Sequence, residues 1–294
     1  MRKFRLSMTQ KHGLTGWAFL ALAAGLIIWM NFYPMIRGLY LAMQTGVGAN
    51  MRFAGLLNFE RLFIDPQFRQ TIMTTLMYLV IQVPIMLLFA LVLASMLNKR
   101  SLKGRGIFRT AIFLPCTVGL VAYALVFRQM FAFDGLINTM LVNVGILETG
   151  HNWLGTAWSA RLVIILGLLW RWTGFNMIFY LAALQNIDYS IYEAARIDGA
   201  SAFQQFLKIT LPLLRPVILL TAIMSTNGTL QLIDESMNLT FGGPGIASRS
   251  MSHQVFATAF MGNPNLGYAS AMAFAIFIFV AIFALVQMKV GDKR

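Results

Sequence analysis

Long apolar runs alternate with short polar breaks along this chain. A helix needs about 20 apolar residues to cross a bilayer. Six runs reach that scale, near residues 14–41, 70–97, 108–131, 160–186, 213–235 and 267–289. The first is interrupted only by Asn31, Pro34 and Arg37, the second carries Pro84 as an expected kink, and the fourth carries Arg171. The longest connections, 42–67, 132–158 and 236–266, are each under 40 residues and leave no room for a soluble domain. The pattern predicts an all-α integral membrane protein, a single transmembrane domain over residues 1–294 with six spanning helices.

One polar stretch, residues 188–212, is too ordered in its signals to be a mere linker. Ser190 stands three residues before Glu193 and Ser201 three before Gln204, two capping-box spacings that predict two short helices. Asp198-Gly199 falls between them, where a left-handed residue ends the first helix and turns the chain. Ala194 and Ala195 leave that helix a thin side that another surface can approach closely, so the segment reads as a docking knob.

Composition agrees with a membrane chain: 58% of residues are hydrophobic and 11% charged, against about 25% charged in soluble domains. The net charge of +13 does not call for nucleic acid, because the basic residues are sorted by side. Arg2, Lys3, Arg5, Lys11, Lys99, Arg100, Lys103, Arg105, Arg196, Lys208, Arg215, Lys289, Lys293 and Arg294 fall on one side; the opposite loops hold Arg52, Arg61 and Arg249. By the positive-inside rule both termini and the 188–212 segment are cytoplasmic. The basic N-terminal stretch before an apolar run is read as the start of a first membrane helix rather than a cleaved leader. Cys116 is the one cysteine, so no disulfide within the chain is expected, and no P-loop occurs.

No catalytic constellation or metal site emerges, since His12, His151 and His253 are scattered and read as solvated loop residues. The informative charge is Arg171, because a cation within a span faces a polar interior. It sits in Trp170-Arg171-Trp172-Thr173-Gly174-Phe175-Asn176. Aromatic faces there suit the apolar faces of sugar rings, and Arg171 and Asn176 suit their hydroxyls; an interhelical ion pair with ordinary aromatic packing is the alternative. The fifth run carries Ser225, Asn227, Thr229, Gln231, Asp234 and Glu235. At 100° per residue Ser225, Thr229 and Leu232 share one stripe and Asn227, Gln231 and Asp234 another. The first stripe is assigned to substrate and the second to a partner subunit or gate, with interhelical hydrogen bonding as the alternative. Ser225 lies about 18 Å of helical rise from Leu213, and Trp172 an equal rise from residue 160, so the two can meet near the midplane. Gly242-Gly-Pro-Gly245 reads as a turn cluster.

Glu193-Ala194-Ala195, Asp198-Gly199-Ala200, Phe206, Ile209, Leu211-Pro212 and Pro216 together resemble the EAA loop of bacterial ABC importer permeases. Asp65-Pro66-x-Phe68, Gly106-x-Phe108-Arg109-x6-Pro115, Leu181-Ala-Ala-Leu-Gln185, Thr240-x-Gly242-Gly243-Pro244-Gly245 and Gly267-Tyr268-Ala269-Ser270-Ala271 narrow the resemblance to the sugar-type permeases. It implies the type I importer permease fold in a bacterial inner membrane. It also implies ATPase coupling through Glu193, Ala194, Ala195, Asp198, Gly199, Leu211 and Pro212, and maps Arg171, Trp172 and Phe175 onto positions that can contact sugar. Asn176, Ser225, Asn227, Thr229 and Gln231 join them as substrate-path candidates from the residue reading above. The implied partners are a second permease, two ATPase subunits carrying ATP and Mg, and an external sugar-binding protein that docks near the Gly242–Gly245 loop. This chain itself would bind no cofactor and catalyse nothing. An ion-coupled secondary transporter is the alternative class, disfavoured because no acid is expected deep in a span. A membrane enzyme lacks any convergent acid or metal cluster.

Overall fold

A computed structural model describes residues 8–46, 50–99 and 102–291, without the side chains of residues 8–12, 14, 15 and 18. Arg2, Lys3, Arg5, Arg100, Lys293, Arg294 and the side chains of Lys11 and His12 therefore lie outside the described residues. The chain begins with α1 (Met8–Ile27) and α2 (Tyr33–Ala42), joined by a π-helical turn at Ile28–Phe32. A short antiparallel hairpin of β1 (Gln44–Thr45) and β2 (Arg52–Phe53) leads to α3 (Leu57–Ile64) and α4 (Pro66–Leu97). Next come α5 (Arg105–Phe113), a 3-10 turn at Leu114–Thr117, α6 (Leu120–Met130), α7 (Leu136–Asn143), α8 (Ala157–Gln185) and α9 (Tyr189–Ile197). Then follow α10 (Ala202–Gln205), a second π-helical turn at Phe206–Thr210, α11 (Leu211–Leu230), α12 (Asp234–Asn238), α13 (Met251–Phe260) and α14 (Leu266–Gly291).

Among the described residues five helices are long and apolar enough to cross a membrane, six if α5 and α6 count as one bent span. Three expected spans are found within a few residues as α4, α8 and α14, with starts set by capping groups. Asp65 Oδ1 accepts from Gln67 N at 2.9 Å, Thr156 Oγ1 from Ser159 N at 3.4 Å, and Asn265 Oδ1 from Tyr268 N at 2.9 Å. Pro66 takes the first position of α4, where its missing N–H costs nothing, and α4 runs on through Pro84 as one helix.

The third and fifth expected spans need correction. Residues 108–131 do not form a continuous helix; α5 and α6 meet at 99°. Pro115 lies in the 3-10 turn and Val118 and Gly119 are extended, so the helical ladder lapses there although the residues stay apolar. The fifth span covers Ala202–Leu230 rather than 213–235. The second short helix expected within 188–212 is therefore the first turns of that span. It passes Pro212 through the π-helical turn that ends two residues earlier, as the first span passes Pro34. A wider i→i+5 turn relieves the contact between the proline ring and the preceding carbonyls.

α4 packs along α8, and α11 packs against both and against α14. One core cluster joins Tyr78, Val163, Ile164 and Leu168 to Phe127 and Leu239; another joins Ala90, Met177, Tyr180 and Leu214. Gly174 lets α8 approach the end of α5 closely, since a Cβ there would lie 1.9 Å from the Ile112 carbonyl oxygen. Such contact depends on glycine's missing side chain.

The connections between spans are also built structures. Asn138 Oδ1 accepts from His151 N at 3.1 Å and from the Trp153 indole at 2.8 Å, and Asn138 Nδ2 donates to Phe133 O at 2.9 Å and His151 O at 2.8 Å. Tyr78 Oη donates to Ser248 O at 3.0 Å and Arg161 Nε to Ala247 O at 2.8 Å, anchoring the Gly242–Gly245 turn region to α4 and α8. The expectation of solvated histidines fails at two positions. His253 is buried with its Nδ1 2.9 Å from Ser236 Oγ, and burial first and Arg249 second pull its pKa down to about 4. His151 is half-buried, edge-on to Trp153 at 5.0 Å. Long-range packing of α13 onto α12 decides this for His253, and local polarity along the chain does not report it.

Candidate functional site

Arg171, Trp172, Phe175 and Asn176 are separated by one, three and one residues, so they share a face of α8. That face meets Ser225 and Thr229 of α11 and Gln82 and Met86 of α4 around a cavity of about 370 Å³, within the roughly 300–1,000 Å³ typical of small-molecule sites. Asn176 Nδ2 donates to Trp172 O at 3.0 Å, while its Oδ1 accepts from Ser225 Oγ at 3.3 Å. Thr229 Oγ1 donates to Gln82 Oε1 at 3.1 Å. These hydrogen bonds link α8 to α11 and α11 to α4, orienting the amides and hydroxyls; the rings of Trp172 and Phe175, which meet edge to face at 5.9 Å, line the same cavity.

One end of the cavity is lined by the chain leaving α11. That helix stops at Leu230, so residues 231–235 no longer follow the 100° step on which the two-stripe reading rested. Gln231, expected on the stripe away from substrate, lines the cavity along with Asp234 and Glu235. Asn227 does not line it; it is exposed and accepts a hydrogen bond from Gln231 Nε2. Neither Asp234 nor Glu235 lies within the spanning helix, which ends before them. Glu235 is 3% exposed, in α12, and its Oε1 lies 3.8 Å from Arg171 Nη1.

The ion pair weighed as one reading of Arg171 is present, and it forms part of the cavity wall. Its guanidinium also stands 5.3 Å from the Tyr123 ring centroid and 5.4 Å from that of Trp172, where the ring quadrupoles favour a cation. Its Nε is buried without a hydrogen-bond partner. Burial pushes the Glu235 carboxyl above its ordinary value, opposed by a backbone hydrogen bond, Arg171 and the Trp172 side chain. Gln82 and Met86 were not anticipated. Gln82 was legible as an amide in an otherwise apolar run, whereas Met86 carries no chemical signal and joins only through geometry, 3.1 Å from Gln82 Nε2.

The elbow at the other end of the spans is α9 and the turn after it. Its first cap is Asp188, whose carboxylate accepts from Ser190 N at 2.9 Å and is held below the usual range by hydrogen bonds from Ser190. The expected Ser190–Glu193 box is therefore absent. The helix starts at Tyr189, which leaves Glu193 exposed one turn in. The Ser201–Gln204 box is present, with Ser201 N donating to Gln204 Oε1 at 2.8 Å and Gln204 N to Ser201 Oγ at 3.3 Å. Between them Gly199 has φ +81°. Its N–H reaches Arg196 O at 3.0 Å and the Ala200 N–H reaches Ala195 O at 2.9 Å, the paired bonds of a Schellman ending. Ala194 and Asp198 are exposed and Ala195 half-buried. Ile197, 87% exposed, and Phe203, 70% exposed, stand beside the turn. Leu211 and Pro212 line a separate groove at the start of α11 with Arg215 and Ile218. No cluster of three or more metal-ligating side chains occurs among the described residues.

A family model described as the binding-protein-dependent transport system inner membrane component matches residues 66–292. The chain belongs to this family. The permease is 44% identical over 292 residues to the lactose transport system permease protein of Rhizobium radiobacter, covering 99% of this chain and 98% of that one. It is 37% identical to the trehalose/maltose transport system permease protein of Thermococcus litoralis, over 82% of this chain and 81% of that one. Among solved structures, a bacterial ABC transporter involved in the import of the acidic polysaccharide alginate superposes with TM-score 0.83 at 25% identity, covering 96% of each chain. The permease thus has the type I importer fold, and the ion-coupled alternative is set aside.

Proposed function

We propose that the permease forms half of the translocation path of an ATP-driven carbohydrate importer in a bacterial inner membrane. Its partners would be a second, dissimilar permease, two ATPase subunits and an external sugar-binding protein. The observation that carries the substrate class is the cavity, lined by hydroxyls and amides of three helices together with two aromatic side chains. The printed functions of the relatives, lactose and trehalose/maltose transport, point the same way. Arg171 and Asn176 would orient sugar hydroxyls, and Trp172 and Phe175 would cover the apolar faces of the ring. Replacing Trp172 with alanine is expected to lower sugar uptake by the reconstituted complex about tenfold, the equivalent of roughly 1.4 kcal/mol of lost aromatic contact, with subunit co-purification unchanged. Uptake at the unaltered rate removes Trp172 from the path. Thr229 is a poorer probe, because its removal also strands the buried Gln82 oxygen.

Motion would come from the elbow. The count of basic residues assigns it to the cytoplasm together with both termini, where ATP and Mg bound by the ATPase subunits are accessible. The exposed Glu193, Ile197 and Phe203 suit a groove on such a subunit. Closure of the ATPases would draw the elbows of the two permeases together and open the cavity outward, and hydrolysis would let it face inward. Because α10 continues into α11 without a break, displacement of the turn is delivered directly to the helix carrying Ser225 and Thr229. Gly199→Val meets no neighbour within 4 Å but forces a β-branched residue into the left-handed region at a cost of about 1–2 kcal/mol. It is expected to leave ATP hydrolysis running while uptake per ATP falls severalfold; an unchanged ratio counts against the lever.

A further inference from the structure

We propose that the cavity behind the elbow binds a phosphate-bearing anion, its position favouring the headgroup of an anionic phospholipid. The cavity, of about 670 Å³, lies where α4 and α8 end and α5 and the α10–α11 span begin, with α9 as one wall. Three cations line it from three elements: Lys99 beyond α4, Arg105 at the first position of α5, and Arg196 in the last turn of α9. Among the described residues no carboxylate lines it, and none of the three cations is in an ion pair. The Arg196 guanidinium lies 5.2 Å from the Tyr189 ring centroid.

The walls are braced independently of any occupant. Tyr192 Oη and Thr210 Oγ1 are 2.9 Å apart, and Gln205 Nε2 donates to Ala200 O at 2.8 Å. Three like charges around one concavity repel one another, and an anion placed among them relieves that repulsion while accepting hydrogen bonds from guanidinium groups. Because the surrounding ends belong to spanning helices, the cavity sits at the level of one membrane surface, where anionic headgroups present phosphate. A phosphate held there joins Arg196 on the elbow to Lys99 and Arg105 on the helix ends, and so makes the elbow's position depend on the lipid. Binding is read on the chain alone, so its failure leaves the carbohydrate reading untouched.

The full-length chain, purified in detergent, is titrated by native mass spectrometry with short-chain phosphatidylglycerol, short-chain phosphatidylcholine and inorganic phosphate. Phosphatidylglycerol is expected to saturate a site that phosphatidylcholine does not fill. Lys99→Gln, Arg105→Gln and Arg196→Gln together should weaken it about a hundredfold, from roughly fivefold per cation. Lys103→Gln with Arg109→Gln, exposed cations outside the cavity, should not weaken it. Equal binding of free phosphate with the same dependence on the three cations upholds the site and makes its source soluble. Equal binding of phosphatidylcholine, or binding by the triple variant at the original strength, overturns the proposal. A photoactivatable phosphatidylglycerol on the unaltered chain tests the same point without relying on a variant. Labels on peptides holding Lys99, Arg105 or Arg196 are expected, and labels confined to other peptides overturn it.

Discussion

Arg171→Met is expected to destabilise the permease by about 3–5 kcal/mol, because it leaves the Glu235 carboxylate buried without its counter-charge. Glu235→Met should cost a similar amount by stranding the guanidinium. The double variant should recover most of the loss, since an apolar pair in place of a buried ion pair is often neutral or better. Thermal unfolding of the three purified variants checks this, and a double variant no more stable than either single one would show that the two groups do not act as a pair. The two single variants should also differ with pH. Burial raises the Glu235 carboxyl pKa, and loss of Arg171 removes an opposing influence. A carboxyl whose folded pKa is raised is best tolerated when protonated, so the Arg171→Met deficit should shrink as pH falls and grow as pH rises. The Glu235→Met deficit should not change over the same range, because a guanidinium does not lose its proton there. Uptake should stay low in the double variant even where stability returns, since the cavity then lacks both charges.

Gly174→Ala is expected to cost at least the 1–3 kcal/mol typical of an overpacked core. The new methyl would meet the Ile112 carbonyl oxygen at 1.9 Å and the Phe113 Cα at 3.1 Å. Neither is the flexible end of a side chain, so α8 and α5 must part by about 1 Å. Since α8 also carries Arg171, Trp172 and Asn176, the shift should lower uptake together with stability. Gly106→Ala is the control: it lies on the exposed side of α5 with nothing within 4 Å of a new Cβ. There alanine should be neutral or favourable by up to about 1 kcal/mol. Equal unfolding temperatures for the two variants would remove Gly174 as the point where the bent third span is seated.

The elbow was legible because its signals are local. Ser201 with Gln204, and Gly199 after Asp198, act within one helical turn, and the chain builds those features as the spacing predicts. The Ser190–Glu193 spacing misled only because Asp188, two residues earlier, offers a carboxylate to the same helix start. Arg171 was legible for another reason. A cation inside an apolar span demands a polar surround, and its neighbours Trp172 and Asn176 lie within one turn of it. Gln82 followed the same rule and was passed over, while Met86 and the notch at Gly174 follow no rule of composition.

Sequence alone determined that this chain crosses a membrane in helices, where α4, α8 and α14 lie to within a few residues, and that a polar turn at Asp198-Gly199 separates two of the spans. Each of these follows from the run of residue types, because a bilayer tolerates only segments that satisfy their own backbone hydrogen bonds. Tertiary structure alone decided that residues 108–131 bend by 99°, that α11 stops at Leu230, and that Glu235 and His253 are buried. It also brought Gln82, Arg171 and Thr229 to one cavity. Those outcomes depend on which distant helix supplies a partner for each polar group, and burial of a side chain is a property of its neighbours in space.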